Sequence, residues 1–238
     1  MIFDKNKPLE HSKLFRNFYF LKQLIIFKVI TTQMYPTDMK KLALVFFIMI
    51  NLTFYAQNKV SIKDIYPDLK KKSQIDKSDK TIYNLLTTFY EKNLQADQEE
   101  MTPEDIQQIE KLVSDPATKN LHILLLFLMY QQHISKTAAV GKEPDPDFQI
   151  DTMNILESET KEIFGKIPAI IYIYKAEALE SGHKKDESQN TVEQGLKEYP
   201  DSIPLKVYSY LNTKDTTIKN DLIKNHSKHW MVQQFGIQ

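Results

Sequence analysis

The chain has 238 residues, 42% hydrophobic and 26% charged, so it can build one sizeable core or two small ones and fits neither a disordered nor a fibrous class. It has no cysteine, which excludes a disulfide framework, thiolate metal ligands and a cysteine nucleophile. Lys+Arg and Asp+Glu balance at 31 each, unlike the basic footprint of a nucleic-acid binder, and 5 glycines leave little for phosphate-cradling loops.

Residues 1–38 hold apolar clusters at 14–15, 18–21 and 24–30, broken by Lys22, Gln23 and Lys28. From Met39 the chain reads MKKLALVFFIMINLTFYAQ: two lysines, an apolar stretch, then a short segment ending at Ala56. This is the layout of a secretory signal peptide over 39–56, with cleavage expected after Ala56. Phe54 stands where a small residue is usual, which leaves the exact cut open. The stretch 42–56 is 15 residues long, short of the ~20 that span a bilayer. Signal peptides begin chains, so 1–38 reads as a non-native upstream extension; an amphipathic leader helix on a membrane is the alternative. The exported chain would then run over 57–238 with 23 Lys+Arg against 28 Asp+Glu, a net charge of −5. A periplasmic or secreted protein is expected, with no permanent membrane span after cleavage.

Residues 58–80 carry seven lysines, among them Lys70, Lys71 and Lys72, diluted by Asp64, Asp68, Asp76 and Asp79. Composition predicts a solvated linker or frayed start over 57–77, in preference to a polyanion or lipid-headgroup patch. From 78 the period turns helical. Ser78 is positioned to cap a helix in which Ile82, Leu85, Leu86 and Phe89 recur at i, i+3, i+4 and i+7. Thr102-Pro103-Glu104-Asp105 predicts a capped start for a helix through Ile106, Ile109, Leu112 and Val113. Asp115-Pro116 repeats that signal before an apolar segment over 121–130, read as a helix buried on several faces. Gly141, Pro144 and Pro146 make a loop. Asp145 then opens a helix closed by Gly165 and Pro168, and further helices are predicted at 169–181, 184–198, 203–211, 216–225 and 228–235. The class is all-α, built of short antiparallel helix pairs over 78–238.

Residues 169–202, AIIYIYKAEALESGHKKDESQNTVEQGLKEYPDS, resemble a tetratricopeptide repeat. Tyr172 falls at the family's early aromatic position, Ala176 at the small one, Leu179 at the following large one, and Gly182 at the turn. In the second helix Ser188 and Gly195 take the small positions, Val192 and Leu196 the large ones, and Pro200 closes the unit. Lys175 and Ser188 depart from the leucine and alanine usual there. The resemblance implies a small right-handed array, with 148–168 as part of a preceding unit, 203–226 as a shortened following one and 228–235 as a capping helix. It also implies an unidentified protein or peptide partner held on a concave face. In such repeats the outward positions of the first helix line that face, here Ile170, Ile173, Glu177 and Glu180. Two apolar and two acidic residues would suit an apolar segment with a basic flank. A closed helical bundle that associates with its own copy is the alternative architecture.

No motif for catalysis is present: G-x-S-x-G, H-E-x-x-H, a Walker loop and a dinucleotide fingerprint are all missing. His226 and His229 share a helix face only if one helix is continuous, and they lack an acidic third ligand nearby. Asp145 with Asp147, and Glu157 with Glu159 and Glu162, read as solvated carboxylates, and His122 as a core histidine. Trp230 and Phe235 read as staples of the C-terminus to the core. The expectation is a non-enzyme without a cofactor or metal.

Overall fold

A computed structural model describes residues 61–96 and 102–238; the upstream extension and the signal peptide expected from the sequence lie outside them. Ten α-helices succeed one another among the described residues, with no strand, only one isolated bridge between Gln74 and Lys119. The all-α expectation holds.

Within residues 57–77, expected from composition to be a solvated linker or frayed start, 62–72 form a helix packed on the core. Helix α1 (Ile62–Lys72) starts at Ser61, whose side chain accepts from the Lys63 amide. Its last turn holds Lys70, Lys71 and Lys72, where cations complement the helix dipole. The apolar residues looked too few for burial, yet Ile62 is buried and Ile65, Tyr66 and Leu69 pack on the core.

Helix α2 (Thr81–Tyr90) buries the predicted Ile82, Leu85, Leu86 and Phe89. Ser78 does not cap it: Ser78 bonds to Asp76, and the Asp79 carboxylate accepts from the Thr81 amide instead. The helix continues as a π-turn, Glu91–Gln95. Helix α3 (Pro103–Ser114) has the predicted capping box between Thr102 and Asp105. Asp115-Pro116 opens no helix; Asp115 ends α3 and accepts from the Ala117 amide in a turn. The next helix, α4 (Leu121–Ala139), starts after Asn120 in the left-handed region and runs well past the predicted 130.

Helix α5 (Pro146–Phe164) is capped by Asp145 and stops at Gly165, whose φ of 74° suits a residue without a Cβ. Helices α6 (Ala169–Ser181), α7 (Lys185–Glu198), α8 (Ile203–Thr213) and α9 (Thr216–His226) follow the predicted order closely. The last, α10 (Trp230–Gln234), is shorter than expected, because His229 bonds its own Met231 amide and becomes the cap.

From α4 to α9 each helix packs on the next, so the chain zigzags as stacked hairpins. The α6–α7 hairpin is the tightest pair, and the Ser188 hydroxyl donates to the Ala176 carbonyl at 3.0 Å where the backbones approach. Tyr172, Ala176, Leu179, Ser188, Val192 and Gly195 are buried, Gly182 and Leu196 are half-buried, and Pro200 is exposed in the closing turn.

Helix α2 leaves this succession and packs on α4 and α6, while its π-turn reaches α8. Tyr90 donates to the Gln95 side-chain oxygen at 2.6 Å and its oxygen meets the Ser202 hydroxyl at 2.9 Å, and Gln95 accepts from the Ile203 amide at 3.0 Å. This knot fixes the α7–α8 turn, and burial pushes the Tyr90 phenol up to about 12. Tyr90→Phe removes the hydroxyl that links Ser202 to Gln95. We expect a loss of about 1–2 kcal/mol in urea denaturation, and an unchanged midpoint would show that the knot is not stabilising.

Candidate functional site

The four residues expected on an open face do not share one. Ile170 and Ile173 are completely buried, in the same apolar core as Ile82, Leu85 and Phe89 of α2. This corrects the sequence expectation. Helix α6 is apolar on most sides because α2, α5 and α7 all pack on it, so its outward isoleucines are core rather than ligand surface. Glu177 and Glu180 are half-buried.

Glu177 belongs to a tyrosine cluster. The Tyr208 hydroxyl of α8 donates to it, and Tyr130 of α4 stacks on Tyr174 of α6 with ring centres 5.3 Å apart. Burial pushes the Glu177 carboxyl up to about 7, with the Tyr208 hydrogen bond pulling the other way. A carboxyl raised in the folded state favours folding when protonated, so its contribution is complete below pH ~4.5 and is lost as the pH rises through about 7. Glu177→Gln removes this cost. The variant should be more stable than the parent at pH 8 by about 1–2 kcal/mol, with the difference vanishing by about pH 4, below the unfolded value of 4.5. Thermal unfolding at the two pH values checks this, and an equal difference at both would refute it.

A second polar cluster seats α1. The Glu159 side chain, 3% exposed, accepts from the Tyr66 hydroxyl, from Lys70 Nζ at 2.7 Å and from His122 Nε2 at 2.9 Å. Burial alone would raise this carboxyl, but the hydrogen bonds from Lys70, Tyr66 and His122 outweigh it and hold it below the usual carboxylate range. Glu159 is therefore an acceptor only, which places the His122 proton on Nε2 and leaves Nδ1 bare and buried without a hydrogen-bond partner among the described residues. Burial lowers the His122 pKa and keeps the ring neutral. Of the carboxylates read as solvated, Glu159 is thus corrected: its helix face turns inward, against α1 and α4.

An open concavity lies elsewhere. A cleft of about 560 Å³ sits between α5 and α7, lined by Glu157, Ser158, Lys161, Ile167, Tyr172, Gln194, Lys197 and Glu198. Tyr172 and Ile167 are buried. The Tyr172 hydroxyl donates to Glu198 at 2.8 Å, and Lys175 holds Glu157 at 2.6 Å. Tyr172, expected at a helix-packing position, is buried, and nothing local in the sequence signals that its hydroxyl would reach a cleft. That position depends on how α5 and α7 diverge, which no local pattern encodes.

His226 ends α9 while His229 caps α10 and faces the Leu94 carbonyl at 3.0 Å, so the pair forms no common face. Among the described residues no group of three or more His, Asp or Glu side chains is placed to hold a metal ion. No helix among them is long and apolar enough to cross a membrane. Compared with protein-family models, curated proteins and solved structures, the chain has no match in any of the three.

Proposed function

We propose that this chain is an exported helical-repeat protein that binds a protein or peptide and scaffolds it through the cleft between α5 and α7. The observation that carries the reading is the cleft itself, an open concavity of about 560 Å³ with charged walls on stacked helical hairpins. Rigid helices with a concave polar groove suit a polypeptide ligand better than catalysis, since none of the cleft side chains forms a nucleophile–base pair. The repeat-like spacing over 169–202 supports the same reading, and the signal-like segment over 39–56 supports export.

The test is site-specific photocrosslinking in cells that make the protein. A photoreactive residue at Ser158 or Gln194, on the cleft rim, should capture one defined partner, while one at Asn220, exposed on α9, should not. Equal capture at all three positions would reject the cleft as the binding surface. Capture of only a second copy would assign a self-associating structural role.

A further inference from the structure

The cleft's ligand chemistry can be read from which of its charges are already answered. Glu157 is held by Lys175 at 2.6 Å, and Glu198 receives the Tyr172 hydroxyl at 2.8 Å. Lys161 on α5 and Lys197 on α7 stand on opposite walls, both exposed, and neither ammonium has an ion-pair or hydrogen-bond partner among the described residues. The walls therefore present two cations without a partner beside two carboxylates that have one, Glu157 an ammonium and the exposed Glu198 a phenol hydroxyl.

Resting on the proposed binding function, we infer that the cleft takes an acidic polypeptide segment, with its side-chain carboxylates placed on Lys161 and Lys197. A peptide suits the cleft better than a nucleic acid does. Glu157 and Glu198 would repel a continuous phosphate backbone, but their remaining lone pairs can accept amide N–H groups from a peptide. The net charge of −5 over 57–238 also makes the exported chain a poor general attractor of polyanions, so a local pair of lysines is where an acidic segment would be steered. This preference is the reverse of the basic-flanked ligand that Glu177 and Glu180 suggested in the sequence. Those two residues sit on another part of the molecule.

The probe is a fluorescein-labelled alternating Glu–Ala peptide, with a Lys–Ala peptide as its counterpart, titrated against the full chain and read by anisotropy. The acidic peptide should bind and weaken as salt is raised, and the basic one should not bind. The double variant Lys161→Glu/Lys197→Glu should lose at least about tenfold in affinity. Lys224→Glu/Lys228→Glu makes the same charge change on exposed positions at and just past the end of α9 and should bind like the parent. Because all four lysines are solvent-facing or nearly so, circular dichroism should show each variant folded. No binding of the acidic peptide overturns the inference, as does equal loss in both double variants. So does a single-stranded oligonucleotide that binds as tightly and depends on the same two lysines. If photocrosslinking at Ser158 and Gln194 captures a partner while the acidic peptide fails to bind, the inference falls and the binding function stands. If the peptide binds through the two lysines but nothing is captured, the charge reading stands and the binding function falls.

Discussion

Glu159→Ala should lower the unfolding free energy by about 3–5 kcal/mol, because removing one member of a buried ionic cluster strands the others. Tyr66, Lys70 and His122 all donate to this one side chain, and His122 is completely buried. Lys70 is 31% exposed and can turn to water, so the cost falls chiefly on His122 and on the seating of α1. Glu159→Gln should cost less, about 1–2 kcal/mol. Its amide oxygen can still accept from Tyr66 and Lys70, and its NH₂ can donate to Nε2 once the His122 proton moves to the unpartnered Nδ1. Urea denaturation at pH 7 measures both, and hydrogen exchange should show α1 opening first in the alanine variant. A loss below ~1 kcal/mol for Glu159→Ala would mean that the cluster adds nothing to stability. The parent should also weaken in acid. The folded pKa of His122 is lowered from 6.5 and that of Glu159 from 4.5, so each contributes above its unfolded value. Stability is lost as the pH falls, first below 6.5 through His122 and then below 4.5 through Glu159.

The second large effect is expected at Gly195. A Cβ built there would stand 2.9 Å from Leu205 Cδ1, 3.0 Å from Tyr172 Cβ and 3.1 Å from Tyr172 Cγ. The leucine tip can move, but Tyr172 Cβ is fixed to the backbone of α6. Gly195→Ala gains about 1 kcal/mol of helix propensity and meets overpacking of about 1–3 kcal/mol, so a net loss near 1 kcal/mol is expected. Gly195→Leu cannot be accommodated without separating α6 from α7 and should cost about 3 kcal/mol or more. The same shift would move Tyr172 and its bond to Glu198, so the acidic-peptide binding proposed for the cleft should fall together with stability. Stabilisation by Gly195→Ala, measured by thermal unfolding, would show that the helices are less tightly apposed than their geometry indicates.

Gly195 also illustrates what could be read in advance. Its role as a small residue between two helices was legible because the spacing from Tyr172 to Pro200 encodes one hairpin and is local. Asp145, Thr102 and Gly165 marked helix ends for the same reason: a cap acts within a few residues of its own position. The cap at Ser78 was misread because Asp79 competes for the same helix start, and a carboxylate next to the first free amide wins. Asp115-Pro116 was misread because a cap-then-proline pair also closes a helix and turns the chain.

The site was far less legible. Glu159 draws its donors from residues 93, 89 and 37 positions away, and nothing near it in the chain tells it apart from the exposed Glu162. Ile170 and Ile173 looked like an open binding face because the hairpin rule assigns them outward. Only the return of α2, some 80 residues earlier in the chain, buries them with its own apolar stripe. Periodicity, capping and small-residue spacing thus dictate the order of nine of the ten helices and the tightest hairpin, since these are short-range free energies summed along the chain. Which face is covered, which carboxylate turns inward and where a cleft stays open depend on contacts between distant segments. Those contacts are chosen by competition for burial, and only the assembled core resolves it.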